Sequence, residues 1–332
     1  MLLQGFLSLI LLLASGANPA ARAAELDVAY GIPPLLAAPC LPATFEKARA
    51  FTETVAGCFE SSSTRGPVHY EVTFPEGYDP AADQPYAIFL HGRGGNEGQF
   101  REFGGAVALD EHVKKGGAGF VVISPGEPKH SYWKDGPAGE FGTAKMVTED
   151  LVRHIESMPG IARGDRARRA IMGISMGGHG SFYLAEKRPD LFSSLYAMSP
   201  VFRGADELLE EDAPAFGYAA KFNEQDPVGL YLDRQARAQN PLPKVRSAVE
   251  IGKDDWFLQS SPRTLQFIEK LKADMGAESV NLSRPGGHDV EYWRGAFQRA
   301  ADFVGGNFPA EKKRGRDPAA KKKSCADKYQ AL

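Results

Sequence analysis

The sequence predicts an α/β fold in which helices cover both faces of a mainly parallel central sheet. Three observations carry that prediction. Short, continuously apolar runs recur along the chain, as in strands buried on both faces. Longer amphipathic segments alternate with them, the order expected of parallel strands joined by crossover helices. One of the strand-to-helix junctions is glycine-rich and carries a serine: Gly173-Ile174-Ser175-Met176-Gly177-Gly178.

The 332 residues are 43% hydrophobic and 24% charged, the balance of an ordinary globular protein. A chain of this length buries a large core without staples. Its net charge of -3 argues against a nucleic-acid partner. No self-similarity at a period of about 20 to 50 residues is visible, which argues against a solenoid or propeller.

The elements follow in order. Leu7 to Ala14 is apolar, and the small-residue stretch Ala21-Arg22-Ala23-Ala24 comes after it. This reads as a secretory signal peptide over residues 1–24, cleaved near Ala23 or Ala24. The apolar run is shorter than the roughly 20 residues of a membrane span. A secreted or periplasmic protein is therefore expected, with no stable membrane insertion after cleavage. Residues 25–65 read as an N-terminal extension, broken by Pro33, Pro34, Pro39 and Pro42, with one short helix around Thr44 to Ala56. Cys40 and Cys58 lie close enough to pair in an oxidising compartment, or to stand as two unpaired small side chains.

The main domain spans residues 66–308. Val68 to Phe74 alternates and reads as a half-buried strand. Tyr86 to Leu90 and Gly119 to Ile123 are continuously apolar, as buried strands are. A helix is expected over Thr143 to Met158, then a strand over Arg168 to Gly173. Further strands are expected at Ser194 to Met198, Val245 to Ile251 and Ser279 to Leu282. Helices are expected at Gly177 to Lys187, Arg263 to Met275 and Trp293 to Val304. Residues 202–240 are acidic and too long for an ordinary connection, so they read either as a helical insertion over one end of the sheet or as a solvated surface excursion. Residues 309–332 are basic and poor in apolar groups, which predicts a disordered tail.

The junction at Ser175 fits G-x-S-x-G between a strand and a helix. A serine there stands on a sharp turn at a helix N-terminus, where the helix dipole favours developing negative charge. Taken alone, it reads equally well as a serine that caps the helix. A hydroxyl is a weak nucleophile, so it needs a base within reach and an acid that orients the base. In this strand-turn-helix setting the chain order is Ser, then acid, then His. Of seven histidines, His69, His91, His112, His130 and His154 precede Ser175. His179 rides one turn further along the same helix. His288, in the loop Pro285-Gly286-Gly287-His288-Asp289, is the one in the required order. The acid should follow the strand that ends at Ile251, where Asp254 and Asp255 stand side by side. Spacing does not separate them.

Acyl transfer also needs donors for an oxyanion. The backbone N–H of Met176, next after the serine, is one candidate. The loop His91-Gly92-Arg93-Gly94-Gly95 offers a second, the N–H of Arg93. A dinucleotide reading of that loop fails because Glu97 stands where G-x-G-x-x-G needs glycine.

Ser175-Met176-Gly177-Gly178-His179-Gly180, Arg188-Pro189-Asp190-Leu191-Phe192, His91-Gly92 and Gly287-His288-Asp289 together resemble the putative-esterase family of α/β-hydrolases. That family includes S-formylglutathione hydrolase (esterase D), feruloyl and acetyl-xylan esterases and bacterial mycolyltransferases. The resemblance covers Val68 to Val304. It implies an α/β-hydrolase fold, and its G-x-x-D spacing implies Asp255 as the acid. The signal peptide, the acidic insertion and the basic tail depart from the S-formylglutathione hydrolases, which are usually cytosolic.

The expectation is a hydrolase of a small-molecule carboxylic ester or thioester that needs no metal or organic cofactor. Ser175 would attack, His288 would act as base and Asp255 would orient it. An acyltransferase with the same three residues, or an inactive carbohydrate- or partner-binding relative, are the alternatives. Trp133, Trp256 and Trp293 fall in or beside the loops at the expected catalytic edge and are candidate substrate contacts, or ordinary rim packing.

Overall fold

Among the described residues, eight strands form one sheet in the order β1-β2-β4-β3-β5-β6-β7-β8. The structure is a computed structural model. It describes residues 40–127, 131–136, 142–202, 228–229, 231, 245–275 and 280–309. The chain divides into two units, Met1–Cys40 and Leu41–Leu332, and the sheet belongs to the second. The expected signal peptide lies outside the described residues, as do nearly all of the acidic insertion and the basic tail.

The strands are β1 (Glu53–Ser61), β2 (Gly66–Phe74), β3 (Tyr86–Leu90), β4 (Val121–Pro125), β5 (Arg169–Ile174), β6 (Ser194–Met198), β7 (Arg246–Glu250) and β8 (Val280–Asn281). β1 with β2, and β2 with β4, pair antiparallel. All other neighbours pair parallel. Among the described residues, besides the short helical turns Gln99–Glu102 and Arg166–Arg168, the helices are α1 (Gly105–Lys114), α2, α3 (Met176–Lys187), α4 (Trp256–Ser260), α5 (Pro262–Met275) and α6 (Val290–Asn307). In α2, Thr143–Lys145 and Val152–Glu156 flank a π-helical stretch, Met146–Leu151.

Alternation along the central strands builds a core on each face. Ile88 and Leu90 of β3 pack in one layer with Val147 and Leu151 of α2, Phe182 of α3 and Phe267 of α5. Ala87 and Phe89 point the other way, into a layer with Leu109 of α1 and Phe297 and Ala300 of α6. Burial on both faces explains why β3 and the first three residues of β4 read as unbroken apolar runs. Each fully buried aliphatic or aromatic side chain contributes about 1.5–3 kcal/mol. Among the described residues no helix is long and apolar enough to cross a membrane.

Two expectations are corrected. The helix over 44–56 is absent; the chain there is irregular and then enters β1 at Glu53. β1 lies in the stretch read as an N-terminal extension and pairs with all nine residues of β2. Its apolar alternation is interrupted at Gly57, which hides the strand. A Cβ at Gly57 would lie 2.6 Å from the Tyr70 ring, and the Tyr70 hydroxyl accepts from Ala43 N–H at 3.0 Å. The second correction is α1, which was not expected. It follows Gly104, a left-handed residue at φ 95°, with no side-chain cap to announce it.

Candidate active site

The parallel register aligns the C-terminal ends of four strands. Leu90 is level with Gly173, Gly173 with Ala197, and Met198 with Glu250. The loops after β3, β5 and β7 therefore open at one edge of the sheet. They carry His91 to Gly95, Ser175, and Asp254 with Asp255.

Ser175 links β5 directly to α3 at φ 52° and ψ -116°, a region that strains a residue with a Cβ. Its N–H donates to Met198 O at 2.9 Å, and its carbonyl accepts from His179 N–H at 3.0 Å. The two flanking glycines are steric requirements. A Cβ at Gly177 would overlap the Leu90 carbonyl, and one at Gly173 would lie 2.9 Å from Leu90 O. The turn can be this tight only if α3 starts against β3 with no side chain between them.

His288 Nε2 lies 2.8 Å from Ser175 Oγ, and His288 Nδ1 lies 2.8 Å from Asp255 Oδ2. Asp255 is fully buried, and its other oxygen, Oδ1, accepts from Phe257 N–H at 3.0 Å to cap α4. A carboxylate only accepts, so Nδ1 is the donor. Nε2 of the neutral ring is then an acceptor, and the Ser175 hydroxyl donates to it. The His288 ring is wedged edge-on between Phe257 and Trp293, at centroid distances of 4.6 and 5.1 Å.

Asp254 performs a different task. Its Oδ2 accepts from Gly286 N–H at 3.1 Å, while its own N–H donates to Gly286 O at 3.0 Å. Lys253 N–H donates to Arg284 O at 2.8 Å. These bonds lace the loop after β7 to the loop that carries His288. Asp289 then caps α6 by accepting from Tyr292 N–H at 2.9 Å.

Ser175 and His288 open onto a cavity of about 320 Å³. Arg93 and Met176 line it beside Ser175, and Phe103, Tyr132, Phe257 and Trp293 supply aromatic walls. The structure thus brings Ser175, His288, Asp255, Arg93, Met176 and Trp293 to one place. Trp293 is 8% exposed, stacks on Phe103 and donates its indole N–H to Ser199 Oγ at 3.1 Å.

Trp133 and Trp256 are placed otherwise. Trp133 does not line the cavity: it is fully buried beneath α3, where a Cβ at Gly180 would lie 2.5 Å from its Cδ1. Its indole N–H donates to His91 O at 3.2 Å, which makes it a packing residue of the loop after β3. Trp256 lies outside the cavity wall, 54% exposed, stacked on Phe257 with its ring centroid 6.2 Å from that of His288. The cavity contacts that sequence reasoning missed are Gln99, Phe103, Val201 and Phe257. Of these, only Phe257 carried a signal, its place two residues after Asp255.

His179 is buried, and its Nδ1–H donates to Val201 O at 2.9 Å. Burial first, and the Lys134 ammonium second, hold its imidazole well below the usual histidine range, against the opposing pull of that bond. No group of three or more His, Cys, Asp or Glu side chains among the described residues is arranged to hold a metal ion.

The family model described as putative esterase matches residues 61–304. Among solved structures, a ferulic acid esterase superposes with a TM-score of 0.66 at 23% identity, over 78% of this chain and 100% of that one. S-formylglutathione hydrolase from Staphylococcus aureus gives 0.60 at 24% identity, over 76% and 99%. MPT51 from Mycobacterium tuberculosis gives 0.58 at 16% identity, over 78% and 99%. At these identities the likeness to solved structures is one of fold, the α/β-hydrolase fold.

Proposed function

This chain belongs to the putative-esterase family, and from that premise we propose that it is a serine hydrolase cleaving a carboxylic ester or thioester through an acyl-enzyme on Ser175. The observation that carries the reading is the unbroken hydrogen-bonded line from Asp255 through His288 to Ser175, 2.8 Å at each link, ending at a cavity. Ser175 Oγ attacks the acyl carbon as His288 Nε2 takes its proton. Asp255 holds the ring in the Nδ1–H tautomer and stabilises the imidazolium. The carbonyl oxygen becomes an oxyanion that the N–H groups of Met176 and Arg93 receive. His288 returns its proton to the leaving oxygen or sulfur, then activates a water that cleaves the acyl-enzyme.

The cavity walls favour a flat or apolar acyl group, since four aromatic rings face it and its about 320 Å³ holds only a small moiety. The names of the relatives, ferulic acid esterase and S-formylglutathione hydrolase, bracket that range from an aromatic to a one-carbon acyl group. A secreted or periplasmic location is part of the same proposal. It is supported by the apolar N-terminal run and by Cys40 and Cys58, which are both disulfide-bonded.

The test is a p-nitrophenyl ester panel varying acyl length and aromaticity, with fluorophosphonate labelling of the wild type and of Ser175→Ala. The wild type should turn over esters and take the label, and the folded variant should do neither. Turnover that survives in Ser175→Ala overturns the proposal.

A further inference from the structure

The loop after β3 is held from more sides than a connection requires. His91 is buried, and its Nε2 accepts from Glu127 N–H at 3.1 Å. Nε2 therefore carries no proton, and the ring hydrogen is on Nδ1. Nδ1–H donates to Gly92 O at 2.8 Å, and Gly95 N–H donates to the same oxygen at 3.0 Å. There are no cis peptide bonds among the described residues, so the N–H of Arg93 points opposite to Gly92 O. Two donors on one carbonyl thus fix the direction of the next amide.

The preceding peptide unit is held on both sides as well. The His91 carbonyl accepts from the buried Trp133 indole at 3.2 Å, and Gly92 N–H donates to Gln99 Oε1 at 2.6 Å. The Trp133 ring meets the His91 ring edge-on at 4.9 Å. Trp133 reaches this position from a backbone at φ 61°, next to Tyr132 at φ 53°. Two consecutive left-handed residues outside glycine mark a strained turn.

We infer that His91, Trp133 and Gln99 are positioning residues that aim the Arg93 N–H at the oxyanion, an inference that rests on the function proposed above. His91 is a two-ended strut, with Glu127 N–H on one nitrogen and Gly92 O on the other. Trp133 and Gln99 clamp the unit before it. Their work is done through the backbone, so their removal lowers the rate of the step in which charge develops and leaves ground-state binding unchanged. Removing one oxyanion donor outright lowers kcat about 100- to 1000-fold, so misaiming it should cost about 10- to 100-fold.

Trp133→Phe keeps an aromatic ring at this buried site but removes the indole N–H together with part of the bicycle. His91→Leu removes both ends of the strut, whereas His91→Asn keeps an amide donor near the Nδ1 position. Kinetics on p-nitrophenyl acetate would be normalised to sites titrated with a fluorophosphonate, with the affinity of phenylboronic acid measured alongside. Boronate on serine forms a tetrahedral anion and so reports the oxyanion donors directly. The expected result is a 10- to 100-fold fall in kcat per titrated site for Trp133→Phe and His91→Leu, with KM within about threefold. Boronate affinity should fall by the same factor as kcat, and His91→Asn should recover most of both. Wild-type kcat per site in folded Trp133→Phe overturns the inference alone. So does a kcat loss that leaves boronate affinity unchanged. A wild type that neither turns over esters nor takes the label overturns the Ser175 assignment, and this inference with it.

Discussion

Replacing Asp255 with Asn changes one atom in the proposed relay, and the buried geometry decides the outcome. Asp255 accepts two bonds, from Phe257 N–H at 3.0 Å and from His288 Nδ1–H at 2.8 Å. An Asn has one oxygen and one NH₂, so it can satisfy only one of them. With its oxygen on Phe257 N–H, the NH₂ faces Nδ1, the ring hydrogen moves to Nε2, and Nε2 can no longer accept the Ser175 proton. With the amide flipped, two N–H groups oppose each other at a fully buried site, which costs about 1–3 kcal/mol. The unproductive tautomer is therefore favoured by about 5- to 150-fold. Loss of the negative charge beside the imidazolium removes a further factor. The same change in a serine protease triad lowers kcat about 10⁴-fold, which is about 5 kcal/mol of barrier. The assay is kcat on p-nitrophenyl acetate for Asp255→Asn and, as a control, Asp254→Asn. Asp254 is exposed, and an Asn carbonyl there can still accept from Gly286 N–H. That variant should stay within about threefold of the wild type. A loss below about tenfold in folded Asp255→Asn refutes the tautomer argument. A loss at Asp254 equal to that at Asp255 would move the orienting role to the neighbour.

Three further outcomes follow from the same geometry. Ser175→Gly should abolish turnover yet raise the unfolding free energy by about 1 kcal/mol, because glycine relaxes the φ 52° backbone; a lower denaturant midpoint would contradict this. Trp256→Ala should leave acetate turnover and stability nearly unchanged and raise KM several-fold for bulky aromatic esters, since the ring is exposed and stacked on Phe257; equal KM across the panel would remove Trp256 from recognition. His179 is neutral in the folded state because burial, then Lys134, depress its pKa, so below pH about 6.5 the unfolded chain binds the extra proton. Its contribution is thus present above that pH and lost as pH falls, at up to about 1.4 kcal/mol per pH unit, and urea midpoints for His179→Asn should show a correspondingly flatter slope.

Much of this architecture was legible in the chain because its signals are local. β3 and β6 were expected with the bounds they have, since strands covered on both faces spell continuous apolar runs. α3 was readable from the glycine-rich turn that starts it. β1 was not, because Gly57 makes room for Tyr70 and so removes the side chain that would have completed the alternation. α1 was hidden by its entry through Gly104 and Gly105, which look like loop residues in a one-dimensional reading.

By itself the sequence determined the α/β order of elements, the strained serine at a strand-to-helix junction, and the one histidine that could follow it in the required order. The first two depend on neighbours a few residues away, and the third on chain order alone. Spacing left Asp254 and Asp255 unseparated and the family resemblance pointed to Asp255; the tertiary structure then bonds Asp255 to the imidazole and Asp254 to Gly286, partners more than thirty positions along the chain. It also separated the three tryptophans: Trp293 on the cavity wall, Trp256 on the rim, and Trp133 inside, holding the backbone of the loop that faces Ser175. Those assignments arise where the parallel register sets the ends of β3, β5, β6 and β7 level, a relation between distant segments that local periodicity does not encode.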